Sequence, residues 1–184
     1  MPKPDKITRG ARALWRHRGG SRPPFATEPG PGQESVWDYP RPPAIVPDER
    51  RVRVLADGLI LADTQRSVRV LETASPPTFY LPPEDIRTDL LLPTGKSTFC
   101  EWKGRASYFA VRLGDRLIEN AAWTYPEAFA EFQPIAGLVA FYPHAVECWV
   151  GDERARPQPG PYYGGWVTSE VLGPFKGAPG TAGW

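Results

Sequence analysis

The chain has 184 residues, with 22 Lys or Arg against 21 Asp or Glu, so its formal net charge is +1 at pH 7. This length suits one domain with a hydrophobic core, and the even charge balance argues against binding nucleic acid or membranes through a global electrostatic field. The 23 prolines, 18 glycines, seven Trp, seven Tyr and eight Phe indicate a turn-rich β protein.

Metal-ligand patterns and targeting segments are sparse in this sequence. Cysteine occurs only at Cys100 and Cys148, histidine only at His17 and His144, and no CxxC or HExxH pattern is present. We therefore expect no metal site and no cofactor. The N-terminus lacks the apolar core of a signal peptide, and no apolar run is long enough to cross a membrane. A cytoplasmic protein with reduced thiols is the expectation.

The chain divides by composition into an arm, a β domain and a C-terminal wrap. Residues 1–34 are basic and rich in Gly and Pro, which predicts a flexible, solvated arm; contact with nucleic acid is the less favoured alternative. Residues 35–157 form the domain, in which a Pro-rich aromatic strap (35–47) precedes the core (48–157). Trp37 and Tyr39 of the strap are expected on the domain surface. Residues 158–184 are expected to wrap around the domain.

The core is predicted to be a series of short antiparallel strands. Residues 51–64 (RVRVLADGLILADT) alternate on both sides of Asp57-Gly58, which is typical of a tight hairpin. One short helical turn is predicted from Pro82 and another at most between Pro126 and Ile135. The other predicted strands are 67–72, 78–81, 97–102, 106–113, 116–123, 138–142 and 145–150. The fold class is therefore mainly β, a small antiparallel and barrel-like domain with extended Pro/Gly-rich termini.

Glu72 follows Val68 and Val70 with the period of two that a strand imposes. A carboxylate in phase with two apolar side chains points inward, and a buried carboxylate needs partners. The alternative is that Glu72 lies at the strand end and reaches water. Periodicity alone does not separate the two.

Lys103 and Cys100 are the next candidates. Lys103 precedes Gly104 near Trp102 and Tyr80, where it is suited either to an anion-binding or proton-transfer role or to an ordinary surface turn. A thiolate beside a lysine would be nucleophilic, but on a continuous strand Cys100 and Lys103 face opposite sides. A buried, inert Cys100 is the favoured interpretation.

Aromatic and acidic residues complete the candidate set. Aromatic rings with polar tips are common in ligand pockets and equally common in β cores. They are Tyr108, Trp102, Trp123, Tyr125 and Tyr142. Asp85, next to Glu84, is a candidate ligand contact, although capping of a helical turn is favoured. Gly95-Lys96-Ser97-Thr98 resembles the end of a phosphate-binding loop, but Leu90 stands where that loop needs glycine and no helix is predicted to follow.

The chain resembles domain-of-unknown-function family 427, which is filed under a nucleotidyltransferase-type heading. The resemblance covers about residues 45–155 and runs through RVRVLADGLILADT, RVLETASPPTFYLPPEDI, CEWKGRASYF, NAAWTYP and IAGLVAFY. It implies a β-tent fold, whose zinc-binding relatives use two CxxC pairs that this sequence lacks. The positions that match the family's motifs are Glu72, Tyr80, Pro83, Asp85, Cys100, Trp102, Lys103, Gly104, Tyr108, Trp123, Tyr125 and Tyr142.

These residues predict a pocket for a small polar or anionic molecule. Lys103, Glu72 and Tyr80 are the candidates for acid–base chemistry, and the remaining candidates would contact the ligand. The alternatives are an interaction module, including a homodimer, built on the Pro/aromatic flanks, and the nucleotidyl transfer that the family heading suggests.

Overall fold

The computed structural model describes residues 2–184 and is mainly β. Its one α-helix is α1 (Lys6–Ala13), and 3-10 turns span Pro83–Asp85, Thr88–Leu90 and Ala130–Ile135. The strands, in chain order, are β1 (Glu34–Ser35), β2 (Ala44–Asp48), β3 (Val52–Ala56), β4 (Leu59–Thr64), β5 (Ser67–Glu72), β6 (Ser75–Tyr80), β7 (Leu91–Cys100), β8 (Gly104–Leu113), β9 (Arg116–Ala128), β10 (Val139–Phe141), β11 (Glu147–Val150), β12 (Glu153–Arg154), β13 (Arg156–Pro157), β14 (Trp166–Val167) and β15 (Val171–Leu172).

The strands form three larger antiparallel sheets, ordered β12-β11-β3-β4, β10-β9-β8-β7 and β2-β5-β6. Two small pairs, β1-β15 and β13-β14, tie the termini to them. Paired backbone hydrogen bonds between Leu81 and Val139 join the end of β6 to β10. The predicted antiparallel β fold is confirmed, and within residues 2–184 it consists of packed open sheets rather than a closed barrel.

The Asp57-Gly58 hairpin has the predicted geometry. Asp57 (φ 49°) and Gly58 (φ 78°) both occupy the left-handed region, as a type I′ turn requires between β3 and β4.

The strand predicted at 97–102 differs from the structure, because β7 ends at Cys100 and residues 101–103 form a turn into β8. Gly104 starts β8 with φ 101°, a conformation that glycine adopts without strain.

The strap is buried rather than exposed. Trp37 has no exposed surface and Tyr39 is 4% exposed, so the predicted surface clamp is wrong. Phe25 and Trp184 each lie 5.1 Å from the Trp37 ring, measured between ring centroids. Segments far apart in the sequence therefore cover the strap, which a local pattern cannot reveal.

The N-terminal arm is folded against the domain. Asp5 caps α1, since its carboxylate accepts a hydrogen bond of 2.7 Å from the Thr8 amide. The Arg12 guanidinium donates to the carbonyl oxygens of Glu101 (2.6 Å) and Trp102 (3.1 Å). The structure thus gives a defined position to a segment for which the sequence predicted flexibility. Among residues 2–184, no helix has the length and apolar character that a membrane span requires.

Candidate functional site

A cavity of about 290 Å³ lies between β5 and β6 on one side and β7, β8 and β9 on the other. Segments from both ends of the chain contribute to its wall, through Trp15 and through residues 158–176. Phe99 and Tyr162 line the cavity yet are 51% and 57% exposed, so they mark its mouth.

All of the predicted site residues except Asp85 line this one cavity. They are Glu72, Tyr80, Cys100, Trp102, Lys103, Tyr108, Trp123, Tyr125 and Tyr142. β5 and β6 supply Glu72 and Tyr80, and the end of β7 with the following turn supplies Cys100, Trp102 and Lys103. Adjacent antiparallel strands bring these groups onto one concave surface.

Asp85 lies outside the cavity, and its carboxylate is bound by other residues of the fold. Its carboxylate accepts hydrogen bonds from Arg66 Nη2 (2.7 Å) and the Thr64 hydroxyl (2.6 Å). The hydrogen bond from Arg66, followed by that from Thr64, lowers the pKa of Asp85. Asp85 therefore ties the Pro83–Asp85 turn to the end of β4, and the structure separates it from the other candidates.

Tyrosines dominate the cavity wall: every tyrosine in the chain except Tyr39 lines it. The Tyr108 hydroxyl is 2.8 Å from Oγ1 of Thr98, and the Tyr142 hydroxyl donates to the Tyr162 carbonyl oxygen at 3.3 Å. Burial raises the pKa of Tyr80 to about 12 and that of Tyr125 well above its ordinary value. These phenols keep their protons at neutral pH and face the cavity as hydrogen-bond donors.

Glu72 lies between two cations. Its Oε1 is 3.3 Å from Nε of Arg41, and its Oε2 is 3.7 Å from Nζ of Lys103. The Glu72 side chain is 19% exposed, while that of Arg41 is fully buried. A register shift between Val70 and Glu72 interrupts the period-two pattern of β5. Glu72 therefore combines both expectations: it ends its strand, and it reaches the cavity with charged partners.

Lys103 is a buried cation. Burial acts to lower its pKa, but the acidic groups around it, Cys100 first and then Glu72, outweigh burial and hold the pKa above the ordinary lysine value. The turn after Cys100 brings Cys100 and Lys103 to the same cavity, so the expectation that they face opposite sides is wrong. Because Lys103 retains its proton, it is better suited to hold an anion than to accept a proton.

Both cysteines are free. Burial raises the pKa of Cys100, and Lys103 offsets only part of that effect. Burial likewise raises the pKa of Cys148, which packs in the core between the sheets. The two thiols therefore stay protonated and weakly nucleophilic at neutral pH.

Lys176 is the cavity residue that sequence reasoning missed most completely. It is 3% exposed, its Nζ donates to the Trp184 backbone oxygen at 3.0 Å, and its Nζ lies 3.5 Å from the centroid of the Trp15 ring. Burial lowers the pKa of Lys176 to about 8. Its neighbours Gly173, Gly177 and Pro174 gave no sign of a binding residue.

The N-terminal arm also reaches the cavity, through Trp15. Its indole N–H donates to Oε1 of Glu101 at 2.7 Å, and the Arg41 guanidinium lies 4.3 Å from its ring. The aromatic pair Tyr162-Tyr163 was visible in the sequence but had no assigned role. Trp15, Tyr162, Tyr163 and Lys176 come from outside the core strands, so only the tertiary structure places them at the cavity.

Residues 2–184 contain no group of three or more His, Cys, Asp or Glu side chains arranged to hold a metal ion. Glu72 and Glu101 are the carboxylates of the cavity. The cavity is thus equipped with phenols, indoles, two lysines and two carboxylates.

Comparison with known proteins identifies the family. No curated protein matches the chain at a significant level. The family profile described as a domain of unknown function (DUF427), which carries a nucleotidyltransferase-type heading, matches residues 44–152, more than half of the chain. This range includes the nine predicted residues at the cavity and excludes Trp15, Arg41, Tyr163 and Lys176. The chain therefore belongs to the DUF427 family.

Proposed function

We propose that the protein binds a small polar ligand with an anionic group in the cavity between β5-β6 and β7-β9. The observation that carries this proposal is that two buried lysines, Lys103 and Lys176, meet a wall of protonated tyrosines. Buried cations and hydroxyl donors in one concave, aromatic-lined space are the features of a small-molecule site.

One hydrogen-bond donor of a cavity residue has no partner in the described part of the protein. Within residues 2–184, the indole Nε1 of Trp102 is buried without a hydrogen-bond partner. Leaving a buried donor unpaired costs about 1–3 kcal/mol. A ligand with an acceptor oxygen near Trp102 would satisfy this group.

The aromatic residues of the cavity wall pack against one another and give the cavity a defined shape. Trp123 lies 4.3 Å from Tyr142 and 6.2 Å from Tyr80, measured between ring centroids. Gly164 allows the C-terminal wrap to pack directly on Trp123, since a Cβ at that position would overlap the indole ring. Fixed rings of this kind contact the apolar face of a ligand at low entropic cost.

The catalytic extension of this proposal assigns different roles to the three acid–base candidates. Lys103 and Tyr80 keep their protons at neutral pH and act as donors that stabilise negative charge. Glu72 is the proton acceptor among them, 3.7 Å from the Lys103 ammonium. For nucleotidyl transfer we find less support, because the engagement of Asp85 by Arg66 and Thr64 removes one of the two carboxylates of the weak Glu84-Asp85 pair.

The interaction-module alternative also has less support than the binding proposal. It relies on the Pro/aromatic flanks as a partner surface, and Trp37, Tyr39 and Trp166 of those flanks are buried within the chain itself. Few of the large aromatic rings in these flanks are exposed; Tyr162 is one that is.

The test is a thermal-shift screen of nucleotides, sugar phosphates, neutral sugars and organic acids. Wild type is compared with Lys103→Met and with the matched control Lys6→Met, which alters an exposed lysine of α1. We expect a compound that raises the melting temperature of wild type and of the control, but not that of Lys103→Met. A screen in which no compound stabilises wild type overturns the proposal, as does equal stabilisation of Lys103→Met.

A further inference from the structure

We propose that α1 docks the protein on an anionic lipid surface, with Ile7 and Leu14 inserted among the lipids and the surrounding basic side chains at the headgroups. This proposal concerns the N-terminal arm and is independent of the ligand proposed for the cavity. It rests on the exposed apolar side chains of the helix, on the charge around them and on the way in which the helix is fixed to the domain.

Ile7 and Leu14 are the most exposed large apolar side chains among residues 2–184. They are 83% and 84% exposed, whereas the other exposed ones range from 40% to 57%. Leu14 continues the helix by one residue, since its backbone (φ −75°, ψ −17°) is still helical. Side chains seven positions apart lie two turns from each other on the same side of a helix. The two residues therefore form an apolar ridge that faces solvent, and transfer of such a ridge into an apolar phase is favourable.

Another side of α1 is held against the domain, which leaves the ridge facing outward. Thr8 is 4% exposed, and the Arg12 guanidinium donates to the carbonyl oxygens of Glu101 and Trp102 and pairs with Glu131. A helix of this length is marginal in water by itself. These contacts therefore give α1 a formed and oriented state before it meets any surface.

Basic side chains surround the apolar ridge. Residues 3–22 contain seven basic side chains and one acid, Asp5, whose carboxylate caps the helix. Arg12 and Arg22 form ion pairs with carboxylates of the chain. The other five are exposed and have no ion-pair partner within residues 2–184; they are Lys3, Lys6, Arg9, Arg16 and Arg18. A helix with an apolar ridge and unpaired cations matches an anionic lipid surface in both hydrophobicity and charge.

The rest of the chain has the opposite charge bias. Because the whole chain has 22 basic and 21 acidic residues, the acids outnumber the bases outside residues 3–22. An anionic surface therefore attracts the arm and repels the remainder of the protein. This asymmetry orients the protein with α1 toward the lipid, and the net charge of the whole chain does not reveal it.

Nucleic acid and a second copy of the chain fit this surface less well. Single strands bind to aromatic rings on which bases stack, but the aromatic groups of the arm face the domain. Trp15 donates to Glu101, and the His17 ring lies 5.2 Å from the Trp37 ring, measured between centroids. Exposed aliphatic side chains gain nothing from a phosphate backbone. In a symmetric contact between two copies of α1, the unpaired cations would face one another.

The experiment is co-sedimentation with large vesicles of phosphatidylcholine, either alone or with about 30% of the anionic lipid phosphatidylglycerol. Wild type is compared with Ile7→Ser/Leu14→Ser and with the matched control Leu59→Ser/Leu117→Ser, which changes two exposed leucines outside the arm. We expect wild type and the control to bind the anionic vesicles and not phosphatidylcholine alone. Ile7→Ser/Leu14→Ser should bind about tenfold less tightly or worse, because it removes the inserted side chains.

A second pair of variants tests the role of charge. Lys6→Glu/Arg16→Glu should weaken binding about tenfold or more. Its control, Arg112→Glu/Arg156→Glu, has the same net charge but changes exposed positions outside the arm, so it should bind like wild type. About 0.5 M NaCl should weaken wild-type binding, because salt screens the headgroup charge. Circular dichroism verifies that each variant is folded.

Failure of wild type to sediment with anionic vesicles overturns the proposal, as does equal binding to phosphatidylcholine alone. Equal loss of binding in a control would place the contact away from α1, and undiminished binding by folded Ile7→Ser/Leu14→Ser overturns the insertion. Fluorescence anisotropy with labelled single-stranded and duplex DNA provides the last comparison. Tighter binding of DNA than of vesicles, unchanged in Ile7→Ser/Leu14→Ser, would assign the arm to nucleic acid instead. The dependence of wild type on lipid composition decides the proposal even if a variant does not fold.

Discussion

The Nζ atom of Lys103 lies 3.7 Å from Oε2 of Glu72, and the second oxygen of that carboxylate is 3.3 Å from Nε of Arg41. One carboxylate thus serves as the counter-ion of two buried cations. Removing the carboxylate and removing one of its cations should therefore have unequal consequences for stability.

Glu72→Gln should destabilise the protein more than Lys103→Met does. The glutamine variant leaves Arg41 and Lys103 buried without a counter-ion, whereas the methionine variant leaves Glu72 paired with Arg41. Because Glu72 is partly exposed, we expect a loss of about 1–3 kcal/mol for Glu72→Gln and less than about 1 kcal/mol for Lys103→Met. Urea unfolding measures both, with Glu119→Gln on the exposed part of β9 as the control. Equal losses, or the reverse order, would show that the carboxylate is not shared.

Lys176 should make the free energy of unfolding depend on pH in the alkaline range. Its pKa is about 8 in the folded state against 10.5 as the ordinary value, because burial disfavours the charge; Glu72 and Glu101 oppose this effect, and Arg41 adds to it. Between pH 8 and about 10 the unfolded chain binds more protons at this residue, so stability rises with pH there. The gain is about 3 kcal/mol at most.

Urea unfolding of wild type and Lys176→Met at pH 7, 8, 9 and 10 measures this effect as the difference between the two proteins. The subtraction removes the contributions of other groups that titrate in the same range. A difference that stays constant from pH 7 to pH 10 would mean that the folded protein does not lower the pKa of Lys176.

Gly164→Ala should disturb the aromatic wall. A Cβ at residue 164 would overlap the ring of Trp123 and lie 3.1 Å from the ring of Tyr142, so the indole must move. We expect a loss of about 1–3 kcal/mol, typical of overpacking, together with a shift in tryptophan fluorescence. Gly183→Ala is the matched control in the same wrap, because a Cβ there meets no atom within 4 Å. Wild-type stability and fluorescence for Gly164→Ala would contradict the close packing.

The cysteines should be slow to react with thiol reagents in the native protein. Burial raises the pKa of Cys100 and of Cys148, so little thiolate is present at neutral pH. A disulfide-exchange reagent at pH 7 should label neither thiol rapidly in buffer and both promptly in urea. Cys100→Ala and Cys148→Ala identify which thiol reacts. Rapid labelling of Cys100 in the folded protein would instead indicate an activated nucleophile beside Lys103.

Local patterns in the sequence indicated the strands and the residues that the core strands contribute to the cavity. Alternation around Asp57-Gly58 predicted the β3–β4 hairpin, and the limits of β5 matched the prediction. Glu72, Tyr80 and Lys103 stood out because each is a polar residue close to strand ends within one stretch. Such signals are visible without the fold because they depend on neighbours a few residues apart.

The tertiary structure alone decided how the cavity is completed. Trp15 and Lys176 meet at 3.5 Å although the whole β domain separates them in the sequence, and Asp85 leaves the candidate set because Arg66 and Thr64 bind it. The burial of Trp37 likewise depends on Phe25 and Trp184. These contacts follow from long-range packing of Gly/Pro-rich segments that have no periodicity of their own. The sequence therefore determined which chemical groups are available, and the packing of the two ends determined which of them face the same cavity.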